Sequence, residues 1–111
     1  MIIATRSLKL VGDSGRVEVP INIFAPRSEG GAWSCQYEIG WPEGQEKRDV
    51  WGIDAVQALL LAFQMIGADI YTSNYHKSGK LIFEKAGGGY GFPVPTSIRS
   101  LREGDDANYD A

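Results

Sequence analysis

The residue types that carry most enzyme chemistry are sparse in this sequence of 111 residues. It contains one histidine, His76, and one cysteine, Cys35. A nucleophile needs a base and an orienting group beside it, and a metal needs several ligands at short, regular spacings. The sequence shows neither arrangement around His76 or Cys35. We therefore predict no catalytic residue, no metal site and no cofactor, which favours a non-enzymatic protein.

The segment Gly12-Asp-Ser-Gly15 has the letters that surround the nucleophilic serine of trypsin-like proteases. That chemistry requires a histidine base held by an aspartate. In those proteases the histidine precedes the serine, whereas His76 follows it here, and the chain is too short for two β-barrels. The same four residues are typical of a hairpin turn, and we interpret them as one.

The glycine-rich stretch at residues 87–91 has the composition of a phosphate-binding loop, in which glycines open a helix. No Gly-x-Gly-x-x-Gly fits, however, and Pro93 and Pro95 follow in place of a helix. We predict a loop whose flexibility lets Tyr90 and Phe92 pack against the body of the protein. A loop that contacts a ligand or a partner is the alternative.

Aromatic side chains with a polar tip suit small-molecule pockets. Several lie near the end of the predicted helix and near the glycine-rich stretch. They line a groove if these two segments meet in space, and otherwise they belong to the core and its rim. The candidate ligand-binding residues are Tyr71, Tyr75, His76, Tyr90 and Phe92.

Alternation of apolar and polar residues indicates half-buried strands. It predicts three such strands at residues 2–11, 16–25 and 32–41, and two shorter ones at 46–51 and 80–84. Pro20 cannot donate a ladder hydrogen bond, so the second strand is predicted to lie at an edge or to be bulged there. In the third strand one face is shared by Trp33, Cys35, Tyr37, Ile39 and Trp41.

One segment, from Gly52 to Tyr71, has the pattern of a helix. Asp54 is placed to cap its N-terminus by accepting from the backbone N–H of Gln57. Gly67 lies on the predicted buried side, which indicates close approach of another backbone. At about 100° per residue, the stripe predicted to face the sheet consists of Ile53, Val56, Leu59, Leu60, Phe63, Ile66, Gly67 and Ile70.

Leu61 and Met65 lie roughly opposite that stripe, beside Ala58. A helix on a single sheet needs no apolar residue there, and exposed apolar surface often marks an interface. We therefore predict that Leu61 and Met65 contact a second copy of the chain, another protein, or the chain's own glycine-rich segment and tail.

These elements predict an α+β fold, because a run of strands precedes the helix. An antiparallel sheet of four or five strands carries one long helix on one face, in the order β-β-β-β-α-β. Residues 1–95 form a single domain, as expected for this length. Residues 96–111 form a polar C-terminal tail, which is predicted to be partly disordered, from about residue 104 onward.

The charge balance limits the partners. Eleven Lys and Arg residues are scattered among 14 Asp and Glu, for a net charge of −3, and this argues against nucleic-acid binding. No segment has the pattern of a signal peptide, and none reaches the roughly 20 apolar residues of a membrane span. A single cysteine forms no intrachain disulfide. We expect a soluble, cytoplasmic protein without a membrane partner.

Four stretches carry a resemblance to a known family: Cys35-Gln-Tyr-Glu-Ile-Gly-Trp-Pro42, Trp51-Gly-Ile-Asp-Ala-Val-Gln-Ala-Leu59, Gln64-Met-Ile-Gly-Ala68 and Tyr90-Gly-Phe-Pro93. They resemble a family of small bacterial proteins that is known as a domain of unknown function. The resemblance covers roughly residues 5–95. It implies a bacterial domain without an assigned activity, so no residue role carries over.

For function, the residues favour a small interaction protein that forms a homodimer or binds another protein. The alternative is a small-molecule-binding protein, or an unrecognised enzyme, that uses the aromatic groove near Gly87–Gly91.

Overall fold

The structure is a computed structural model that describes residues 1–108. The strands are β1 (Ile2–Gly12), β2 (Gly15–Phe24), β3 (Arg27–Glu29), β4 (Ala32–Trp41), β5 (Gly44–Gly52) and β6 (Leu81–Ile82). The α-helices are α1 (Ala55–Tyr71) and α2 (Asn74–Lys77), and two 3-10 helices span Thr96–Leu101 and Gly104–Asn108.

The strands form one antiparallel sheet, so the predicted α+β fold, with strands before a long helix, is confirmed. β2 lies between β1 and β4, β5 pairs with the other side of β4, and β6 pairs with the outer side of β1. β3 pairs with the start of β4. The sequence does not predict β3, because Arg27-Ser-Glu29 has no apolar alternation.

Pro20 lies where the ladder between β2 and β4 ends. β2 pairs with β1 along its length but with β4 only from Ile21 to Ile23, so β2 is an edge strand at Pro20, as predicted, and an inner strand at residues 21–23. Pro20 falls just outside the β4 ladder, where its missing N–H removes no hydrogen bond. Gly40 gives room for the ring, since a Cβ there would lie 3.0 Å from Pro20 Cγ.

The predicted cap begins α1. Asp54 Oδ1 accepts from Gln57 N at 2.8 Å, and Gln57 Oε1 accepts from Ile53 N at 2.7 Å. The helix then crosses one face of the sheet above β4 and β5. That face carries the aromatic side chains of Trp33, Tyr37 and Trp41, as the alternation predicted.

The orientation of α1 differs from the predicted stripe. Ala58 and Ala62 are fully buried, whereas Ile53, Val56 and Leu60 are 80%, 75% and 47% exposed. The prediction is wrong at these positions because the sheet beneath α1 already carries large rings, and small residues let the helix approach it. It is correct for the buried or half-buried Leu59, Phe63, Ile66, Gly67 and Ile70.

Gly67 marks where a second segment, which contains Pro93 and Val94 and is called the crossing segment below, crosses α1. A Cβ at this position would lie 2.0 Å from the carbonyl oxygen of Pro93 and 3.0 Å from Val94 Cγ1. The predicted close approach of another backbone is therefore confirmed. The same crossing segment brings Phe92 beside Phe63, with ring centroids 6.3 Å apart.

The C-terminal tail is ordered further than predicted. Residues 104–108 form a 3-10 helix, and Asp106 within it is 4% exposed. The tail packs on the body because Asp106 finds hydrogen-bond donors there. Residues 109–111, which the prediction of disorder also included, lie outside the described residues.

Replacing Gly67 by alanine should destabilise the protein, although alanine is the better helix former. The new methyl group meets backbone atoms of Pro93, so α1 and the crossing segment must separate, at a cost of about 1–3 kcal/mol. Urea denaturation followed by circular dichroism measures the change. Gly12→Ala is the control, because a Cβ at Gly12 makes only an ordinary 3.7 Å contact. Equal stability of the two variants would contradict this packing.

Candidate functional site

A buried carboxylate joins the C-terminal tail to the glycine-rich loop. Asp106 accepts hydrogen bonds from Tyr90 N at 2.7 Å, Gly91 N at 2.8 Å and the Tyr71 hydroxyl at 2.5 Å. Three donors satisfy an ion that would otherwise be costly to bury. The contact fixes the loop against the end of α1.

Glycine is required on both sides of this contact. A Cβ on Gly89 would lie 2.6 Å from Asp106 Cγ, and a Cβ on Gly104 would lie 2.2 Å from the carbonyl carbon of Gly88. Asp105 N also donates to Gly88 O at 3.0 Å. These glycines bring two backbones together. Tyr90 and Phe92 are buried against the body, as the packing predicted for this loop requires.

Three of the five predicted ligand-binding residues meet beside this contact. The ring centroids are 5.2 Å apart for Tyr71 and Tyr90, 4.8 Å for Tyr71 and His76, and 5.5 Å for His76 and Tyr90, all edge to face. Burial raises the pKa of Tyr71 and of Tyr90, and the carboxylates of Asp106 and Glu103 raise both further. Both phenols are therefore neutral donors at ordinary pH.

His76 is held by Tyr90 at the wall of an open groove. Its Nδ1 lies 2.5 Å from the Tyr90 hydroxyl, which also lies 3.3 Å from the Leu81 carbonyl oxygen. Both contacts are hydrogen bonds when His76 Nδ1–H donates to Tyr90 and Tyr90 donates to Leu81. In that tautomer Nε2 is an acceptor. The groove has a volume of about 680 Å³, and Lys77 and Glu103 add charges to its lining.

The other two predicted residues lie elsewhere, so the five do not form one groove. Tyr75 stacks on Trp41, with centroids 4.7 Å apart and planes 9° apart, and lines a second concavity of about 660 Å³. Phe92 faces β1 and contacts Arg6. The prediction of one shared groove is wrong for Phe92 because the chain turns between residues 90 and 92, which places the rings of Tyr90 and Phe92 on different sides.

The second concavity contains a charge cluster that the sequence did not predict. Asp69 on α1 accepts from Tyr37 Oη and from Arg48 Nε, the latter at 3.0 Å. Burial raises the pKa of Asp69 although both donors oppose this. Burial also raises the pKa of Tyr37, and its bond to Asp69 adds to the effect. The cluster ties α1 to β4 and β5, which is a structural role.

Leu61 and Met65, the predicted interface residues, are 36% and 38% exposed. They flank the more exposed Leu60 and Val56 on the outer side of α1. Neither the glycine-rich loop nor the described part of the tail covers them completely.

Within residues 1–108, no group of three or more His, Cys, Asp or Glu side chains is placed to hold a metal ion.

A family model for a domain of unknown function, DUF6968, matches residues 4–94. The chain belongs to the DUF6968 family. This agrees with the resemblance and with its predicted extent. Comparison with curated proteins found no match, and comparison with solved structures found none. Within the described part of the chain, no helix is both long and apolar enough to cross a membrane.

The match to the DUF6968 model includes the donors to the buried carboxylate but not Asp106 itself, which follows it. In the sequence, Asp106 is indistinguishable from its neighbour Asp105, so no local signal identifies it.

The position of Arg6 in the sequence, by contrast, does mark it as unusual. It occupies an apolar register position of an alternating strand, between Ala4 and Leu8.

Replacing Asp106 by asparagine should destabilise the DUF6968 protein by about 2–3 kcal/mol. The amide keeps one acceptor oxygen and turns an NH₂ group toward buried donors, which then lack a partner. Thermal unfolding and amide hydrogen exchange at Tyr90 and Gly91 measure the effect. Asp105→Asn is the matched control, because Asp105 is exposed. Unchanged exchange at both amides in the Asp106 variant would disprove the role of the carboxylate.

Proposed function

We propose that this protein is a non-enzymatic interaction protein that forms a homodimer through the outer side of α1. The observation that carries the proposal is a set of large apolar residues exposed on that side. We call it the α1 patch, and it consists of Ile53, Val56, Leu60, Leu61 and Met65. Single exposed apolar residues are common, but a contiguous group of this kind usually marks an interface.

The absence of charge on α1 supports a second copy as the occupant. From Ala55 to Ala68 the helix carries no charged residue, and the outer positions between the apolar ones are Gln57 and Gln64. A two-fold contact places the same surface on both sides, so any charge near the axis would meet its like. This face presents no such repulsion. A highly charged partner would find no opposite charge on this face with which to form ion pairs.

The α1 patch is not explained by folding. The helix buries its small residues against the sheet, and the crossing segment covers Gly67. The large residues Val56 and Leu60 contribute to neither contact, while their exposure opposes solubility. Burial of apolar surface in a dimer yields roughly 25 cal/mol per Å² before the costs of association.

The proposal includes a bacterial, cytoplasmic setting without a nucleic-acid partner. The buried thiol of Cys35, 0% exposed, is compatible with a compartment that keeps thiols reduced. Burial raises its pKa, which makes it a poor nucleophile. The net charge of −3 disfavours binding to phosphate backbones.

Leu60→Glu should convert the dimer into a folded monomer. Leu60 is 47% exposed in the monomer, so the charge costs little in folding but must be desolvated in the dimer. Sedimentation velocity across a range of concentrations measures the oligomeric state, and thermal unfolding monitors the fold. Leu61→Asp should weaken the dimer in the same way.

Val17→Glu is the matched control, because Val17 is 49% exposed on the β1–β2 hairpin. This variant should remain dimeric. A wild-type protein that stays monomeric at the highest concentration, or a Leu60→Glu variant that still dimerises, would disprove the proposal.

A second candidate function, small-molecule binding, is favoured by one observation: His76 and Tyr90 form a hydrogen-bonded pair at the wall of a groove of about 680 Å³. This volume lies in the range of ligand pockets. The aromatic edges and His76 Nε2 suit a small aromatic molecule with a hydrogen-bond donor. We assign no reaction to the pair.

Phenol is a suitable probe of this groove in an NMR titration of ¹⁵N-labelled protein. The expected result is a set of shift changes centred on the amides of Thr72, Lys77 and Gly87, which line the groove. His76→Ala should remove them. Asn74→Ala in the same short helix should not, because Asn74 lines the other concavity. Changes that survive in His76→Ala would exclude this groove as the site.

A further inference from the structure

Arg6 places a cation on the core side of the sheet. Within β1 the residues that share its face are Ala4, Leu8 and Leu10, and its cross-strand partner is Ile21. A charged side chain in such a register position is costly unless its surroundings satisfy it. Its contacts therefore require an explanation.

Two aromatic rings and two carbonyl groups hold the guanidinium. Arg6 Cζ lies 4.5 Å from the ring centroid of Phe83 and 5.1 Å from that of Phe92. Nη1 donates to Tyr90 O at 3.1 Å and to Gly91 O at 3.2 Å. Gly91 permits this approach, since a Cβ there would lie 2.5 Å from Nη1.

These contacts leave the charge of Arg6 without an anion. Among residues 1–108, no carboxylate lies within ion-pair distance of it. Both of its hydrogen bonds are made by Nη1, so within the same part of the chain Nε and Nη2 have no acceptor. The edge formed by Nε and Nη2 matches the two oxygens of a carboxylate. A rigidly held guanidinium with this edge unused is preorganised for such a group.

Arg6 lines a cavity of about 330 Å³ whose other walls are mainly apolar. They include Phe83, Phe92, Pro93 and Val94. This volume is at the lower end of the range for small-molecule sites. Asp106 also lines the cavity, but its oxygens already accept from Tyr71, Tyr90 and Gly91. Arg102 also lines the cavity.

We propose that this cavity binds a small organic anion with one carboxylate and a compact apolar body. The carboxylate pairs with Nε and Nη2 of Arg6, and the apolar body packs among Phe83, Phe92 and Val94. The cavity shares no lining residue with the groove of His76. The inference is independent of the α1 patch, so the failure of either proposal leaves the other standing.

Titration of ¹⁵N-labelled full-length protein with benzoate tests the site, with benzamide as the neutral probe of the same shape. Benzoate should shift the Arg6 Nε–Hε resonance and the amides of Gly91, Phe92 and Val94, with a dissociation constant in the millimolar range or below. Benzamide should bind at least about tenfold more weakly, a difference of about 1.4 kcal/mol, because it lacks the charge that pairs with the guanidinium.

Arg6→Gln should abolish the benzoate shifts at Gly91 and Phe92. Arg16→Gln, an exposed arginine of β2, should leave them unchanged. If the glutamine variant does not fold, Arg6→Lys takes its place. Lysine keeps the charge without the fork and should weaken benzoate binding at least about tenfold.

Any of four results would overturn the proposal. The first is benzamide binding as tightly as benzoate, and the second is benzoate binding to the Arg6 variants as tightly as to the wild type. The third is tighter binding of inorganic phosphate than of benzoate, which would show that the site recognises charge without an apolar body. A benzoate titration that shifts no resonance of the cavity also excludes the site.

Discussion

The buried carboxylate of Asp106 is the interaction on which the C-terminal half of the structure depends. It draws together a phenol from α1, two amides of the glycine-rich loop and a turn of the tail. Hydrogen bonds to a charged acceptor contribute about 1.5–3 kcal/mol each. Their acceptor lies beyond the part of the chain that matches the family model. The orientation of Tyr90 follows from this contact, and with it the position of His76 and the carbonyl groups that hold Arg6.

At three places a glycine lets another group approach the backbone closely. At Gly52 a Cβ would lie 2.5 Å from Ala58 N, at Gly67 it would meet Pro93 O, and at Gly89 it would meet the carboxylate of Asp106. Each glycine removes a side chain where another group must approach closely. The fold therefore depends on close contacts at glycine positions, with aromatic rings filling the spaces beside them.

The strands and the capped start of α1 were predictable because alternation and capping are local properties. The rotation of α1 was not. Hydrophobicity alone favours turning Val56 and Leu60 toward the sheet. Ala58 and Ala62 face the sheet instead, because the aromatic rings that β4 carries leave room only for small side chains there. The grouping of the aromatic candidates failed for a similar reason. Whether Tyr75 and Phe92 join Tyr90 depends on turns that connect distant segments, and periodicity carries no such information.

The rotation of α1 also links the fold to the proposed dimer. A helix that turns Ala58 and Ala62 toward its sheet can lie close to it, but the large apolar residues Val56, Leu60 and Leu61 must then face outward. Moving Leu60 inward would lift the helix from β4 and β5 and would break the bond between Asp69 and Tyr37. Turning the helix therefore cannot bury the residues of the α1 patch. It can be covered only from outside, and the described part of the tail is already engaged at the glycine-rich loop, away from Val56. A second copy supplies a surface of matching character without introducing charge.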